Sequence, residues 1–215
     1  MKASPNPSKG GALNPDTSLI SYFVLRTSYF LAFAVLLIFS CHKKQKKAEE
    51  SFFPVLSYIK SQVAHIDTSI YPIQKIIIID STHSDTTDVR REEFRELAKD
   101  FLTLPDLAEK QYAKRFKEEK LYDASLNTVI INYSPLNAEK EEIQGEEVLI
   151  IPQAPEDKVK NIIINTMINN RDGFLQKKML WKIDESFQVT TISQKPGQPE
   201  TTITLKVTWN ETPIR

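Results

Sequence analysis

One stretch of the sequence gathers side chains that could do chemistry: Asp80-Ser81-Thr82-His83-Ser84-Asp85, directly after an isoleucine-rich run. Asp80 or Asp85 beside His83 would orient an imidazole, and the three together would offer oxygen and nitrogen ligands to a divalent cation. Their spacing is not that of a known metal motif. Asp, Ser and Thr are also the residues that turns and helix caps prefer, so a polar turn is the simpler reading. A hydrolase or metal-dependent enzyme working through the loop around His83 is carried as an alternative.

Other catalytic signatures are missing from the sequence. There is no Gly-x-Ser-x-Gly elbow, and five scattered glycines form neither a phosphate loop nor a dinucleotide fingerprint. The acidic pairs Glu141-Glu142, Glu146-Glu147 and Asp184-Glu185 fall in expected turns or at strand edges and read as solvated acids. Trp181 and Trp209 lie on apolar faces of separate strands, where core packing is the expected use and lining a ligand pocket the sharper one. No catalytic residue, resident metal or cofactor is expected.

The elements that would position these residues begin with a helix over residues 51–66, where Phe52, Leu56, Ile59, Val63 and Ile66 recur at helical spacing. His65 reads as a helix-end residue. Residues 73–79 are short and strongly β-branched, which predicts a strand ending in the polar loop 80–88. A helix is expected over residues 89–102, capped by Asp88 or Thr87, with Phe94, Leu97 and Phe101 on one face. After Pro105 a further helix is expected over 106–120, from Ala108, Tyr112 and Phe116 four apart.

The second half changes to β-branched runs at 128–133, 147–151 and 159–168. Leu175, Met179, Trp181 and Ile183 then share a strand face interrupted by Lys177, residues 187–194 form another strand, and Ile203, Leu205, Val207 and Trp209 share the face of a last one. Short polar turns at 169–173, 184–186 and 195–199 favour antiparallel neighbours. The expected class is α+β, with N-terminal helices covering a mostly antiparallel meander sheet. That order of elements loosely resembles, in shape alone, the cone-shaped nuclear-transport-factor-like folds.

Ahead of this domain stands an apolar segment. From residue 19 to 39 Arg26 is the only charge, and the uninterrupted part, residues 29–39, has the length of a signal-peptide core. It ends at Cys41, the one cysteine of the 215-residue chain, which excludes an intramolecular disulfide and a cysteine-rich zinc site. Counted from residue 19, the segment is also long enough to span a bilayer with Arg26 snorkelling, which would make the chain a single-pass accessory protein.

Ile38-Phe39-Ser40-Cys41 resembles the lipobox of bacterial lipoproteins, with Ile38 and Ser40 at the apolar and small positions and Phe39 bulkier than the middle position usually carries. By this resemblance the chain is similar to small lipoproteins of Gram-negative envelopes. It implies cleavage before Cys41, a targeting segment at 1–40, a lipidated (palmitate-type) cysteine with charged linker at 41–50, and one globular domain at 51–215. Several acyl chains on one residue would hold a soluble domain at a bilayer, each buried methylene contributing about 0.8 kcal/mol. His42, in the place where aspartate commonly signals inner-membrane retention, implies the outer membrane.

From residue 42 onward the chain carries 25 basic residues (28 less Lys2, Lys9 and Arg26) against 27 acidic (28 less Asp16). A near-neutral domain gives no electrostatic reason to expect nucleic acid, whose binding draws on clustered positive charge. The expected function is therefore a lipid-anchored, non-enzymatic envelope protein. Its partners are membrane lipid through Cys41 and an envelope protein or small ligand held by the domain.

Overall fold

Residues of period two, repeated strand after strand, build the sheet. A computed structural model of the chain describes residues 51–79, 83–153 and 155–209. They belong to one compact unit spanning Glu50–Arg215, and Cys41 with its apolar segment lies outside the described residues. In chain order the elements are α1 (Val55–Thr68), β1 (Ile73–Ile78), β2 (Ser84–Val89), α2 (Arg91–Leu97), α3 (Lys99–Leu102) and α4 (Lys110–Ala113). There follow β3 (Phe116–Asp123), β4 (Thr128–Pro135), a 3-10 turn (Ala138–Lys140), β5 (Ile143–Ile151), β6 (Lys158–Asn170), β7 (Gly173–Lys182), β8 (Ser186–Gln194) and β9 (Thr201–Thr208).

These strands form one antiparallel sheet in the order β2-β1-β9-β8-β7-β6-β5-β4-β3, a meander from β3 to β9 with the β1–β2 hairpin joined to its last strand. The register aligns large apolar side chains into a row across the sheet: Ile131, Val148, Ile162, Trp181, Phe187 and Val207 oppose one another in turn, and all are buried. A one-residue slip in any pairing would turn its half of that row to the other face, so the pattern fixes the register. At the β6–β7 turn, Gly173 has φ +137°, and a Cβ there would meet the Gln194 carbonyl oxygen at 2.4 Å. Only glycine fits.

The helices lie on the face that carries this row. Buried Val55, Ile59, Val63 and Ile66 form the apolar stripe of α1. Phe94 of α2 meets Trp181, Phe187 and Trp209 edge-on at 6.4, 5.8 and 5.3 Å between ring centroids, and Phe101 of α3 meets Trp181 at 5.1 Å and Phe187 at 5.6 Å. Lys177, the interruption in the apolar face of β7, reaches α3: its Nζ lies 2.7 Å from Asp100 Oδ1.

Four expectations are corrected. Residues 84–88 of the expected polar loop, with Val89 of the expected helix, are strand β2, an edge strand exposed at Ser84, Asp85, Thr86, Thr87 and Asp88, so no apolar alternation marks it. The expected helix at 89–102 is two short ones meeting at Ala98, and α2 begins after Arg90 with no side-chain cap from Asp88 or Thr87. The expected helix at 106–120 keeps only the four residues of α4. Residues 116–123 are the other edge strand, whose charged run Lys117-Glu118-Glu119-Lys120 suits an unpaired edge and at the same time resembles a solvated helix face. With two more strands in the first half, the order of elements that suggested the cone-shaped folds is not the one observed.

Candidate functional site

The residues singled out from the sequence do not come together. Asp80 lies outside the described residues. His83 and Asp85 are exposed on the β1–β2 hairpin, where the His83 carbonyl accepts the Ile79 N–H (3.2 Å) and Asp85 accepts from Thr87 Oγ1 (3.5 Å). Among the described residues no group of three His, Cys, Asp or Glu is placed to hold a metal ion. Trp181 is fully buried in the aromatic core, stacked on Phe187 at 5.3 Å. Trp209, also buried, differs in lining a cavity.

That cavity, of about 270 Å³, opens where three elements end. The last turn of α1 and the chain after it give His65, Ile66, Ser69 and Tyr71, the β7–β8 turn gives Asp184, and the end of β9 gives Trp209. The Trp209 N–H donates to the Glu185 carbonyl (3.1 Å), tying β9 to the turn, and the Asp184 N–H donates to Gln62 Oε1 of α1 (3.4 Å). Asp184 is held with φ +60°, a conformation that Asp and Asn tolerate better than most residues. On the helix side, Arg91 donates to the Ile66 carbonyl (2.6 Å), Ser69 Oγ (2.8 Å) and the Tyr71 carbonyl (2.9 Å). Its guanidinium thereby closes the C-terminal end of α1 and sets the wall. The Asp184 charge, after burial, raises the Tyr58 phenol above its ordinary range.

A second concentration of polar groups is buried under the start of α1. Glu146, expected as a solvated acid, is 2 % exposed on β5, and its Oε1 has no hydrogen-bond partner. Burial first and the neighbouring Asp106 charge second push its carboxyl group up to about 8, so it stands protonated at neutral pH. Asp106, itself buried, accepts from Ser57 Oγ (3.3 Å) and the Ala108 N–H (3.0 Å). Opposite Glu146 on β4, the fully buried Tyr133 hydroxyl accepts the Phe53 N–H (2.8 Å) and is hydrogen-bonded to Glu118. Burial and Glu118 raise its pKa.

The sequence held a signal for Glu146 that grouping it with Glu147 hid: it stands two residues before Val148, in the inward phase of a strand. For the cavity the signal was weaker, because His65 and Asp184 each read as ordinary helix-end and turn residues and only the fold joins them. No family model matches this sequence, and no curated protein or solved structure matches it significantly. The fold and the two sites therefore define the molecule by themselves: a nine-stranded antiparallel sheet, helices on one face, a half-open cavity at one end and a neutral acid within.

Proposed function

We propose that this chain is a lipid-tethered protein of the cell envelope, held through Cys41 at the outer membrane, whose domain binds a small ligand or an envelope protein without catalysing a reaction on it. The observation that carries the tether is the position of Cys41, the chain's one cysteine, directly after an apolar core of signal-peptide length and within a lipobox-like tetrapeptide. The cavity between α1 and the end of the sheet supports the binding role. It is concave, it combines apolar and aromatic surface with a few polar groups, and it is small beside the roughly 300–1,000 Å³ of sites for drug-sized ligands.

Metabolic labelling tests the tether. Cells expressing the full chain and fed an alkyne-tagged palmitate incorporate label into the native protein and none into Cys41→Ala. Equal labelling of the two, or none in the native protein while its thiol remains freely alkylatable, overturns the proposal.

A further inference from the structure

The charge and chemistry of the cavity select among ligands. Among the described residues that line it none is Lys or Arg, and the acid is Asp184. It adjoins the C-terminal end of the 14-residue α1, which the Arg91 guanidinium closes. Arg91, which supports the wall, is engaged by the oxygens of Ile66, Ser69 and Tyr71. Two of the other lining residues are aromatic: Trp209, clamped edge-on against Phe94, and Tyr71, 45 % exposed at the rim. His65 adds imidazole nitrogens, while the Ser69 hydroxyl is engaged by the Ile66 carbonyl and Arg91. An acid and two aromatic residues lining one cavity, Trp209 3 % exposed there, are side-chain types that attract a cation with an apolar body, through ion pairing and ring quadrupoles. An anion would meet the Asp184 charge unfavourably.

We propose that this cavity is a binding site for a small organic ammonium ion, with Asp184 as its counter-ion and Trp209 and Tyr71 as aromatic walls. The inference rests on reading the domain as a binding module and gives that module its ligand class. The backbone makes the key variant conservative: at φ +60° asparagine is as well suited as aspartate, so Asp184→Asn removes the charge and keeps the turn.

Full-length protein in a maltoside detergent is titrated with choline chloride and, separately, with its uncharged isostere 3,3-dimethylbutan-1-ol at matched ionic strength, followed by calorimetry and tryptophan fluorescence. Choline saturates the protein, the isostere binds at least about tenfold more weakly, and Asp184→Asn weakens choline by a similar factor while leaving the isostere unchanged. Glycerophosphocholine separates the sources of such a cation: tighter binding than choline assigns a lipid headgroup, weaker binding a free ammonium compound. Absence of a saturable choline response overturns the proposal, as does equal affinity for choline and isostere, or unchanged choline affinity in folded Asp184→Asn. The comparison of the two probes on native protein decides the matter even if the variant does not fold. Saturable, Asp184-independent binding of the isostere would sink the cation class and leave the binding module standing. Loss of the tether is read separately by palmitate labelling.

Discussion

Glu146 places a carboxyl group inside the covered face of the sheet with one oxygen unsatisfied, a costly arrangement that native proteins keep rare. Its ordinary value of 4.5 is raised to about 8 in the folded chain, so between these values the folded state holds a proton that the unfolded state has released. The sign follows: the contribution of Glu146 is fully present below pH 4.5, falls by up to about 1.4 kcal/mol per pH unit as pH rises, and levels off above 8. Glu146→Gln, neutral at every pH and similar in shape, removes that part of the slope, so urea midpoints of variant and native protein diverge from pH 5 to pH 7.5 in favour of the variant. Parallel pH profiles would contradict a buried neutral acid. At this scale the apolar core residues were legible, since Trp181, Val207 and Trp209 follow a period of two that burial imposes. His65 and Asp184 were not, because a cavity is made by elements far apart in sequence.

At the scale of elements, the interior strands were read from β-branched runs or from alternation, and the edge strands were missed. The reason is physical: β7 and β8 are each flanked by two strands and bury one face, whereas β2 has no buried residue and β3 carries the charged run Lys117-Glu118-Glu119-Lys120. An edge protects itself from further pairing with charge and polarity, and so loses the apolar signal by which strands are recognised. Lys177 shows the converse. It breaks the apolar pattern of β7 because α3 supplies Asp100 2.7 Å away, with each side chain 26 % exposed. A double-mutant cycle with Asp100→Asn and Lys177→Met, read by chemical denaturation, gives a coupling on the order of 1 kcal/mol, above the value of fully exposed pairs. Coupling indistinguishable from zero would show that α3 is held by the packing of Phe101 and Leu102 without the ion pair.

For the whole molecule, the architecture was legible in outline: an antiparallel meander accompanied by helices, which the sequence showed as β-branched runs joined by short polar turns. The hairpin β1–β2 joining β9, which makes nine strands of the meander's seven, was not, because β1 and β9 are more than a hundred residues apart and nothing local announces their pairing. Among the described residues no helix is long and apolar enough to cross a membrane; the proposed lipid tether puts membrane contact at Cys41. Intact-mass measurement of the native protein extracted from membranes tests that account most directly. It predicts a chain lacking residues 1–40 and heavier than the remaining polypeptide by the mass of the acyl groups on Cys41. Recovery of a full-length, unmodified polypeptide would contradict it.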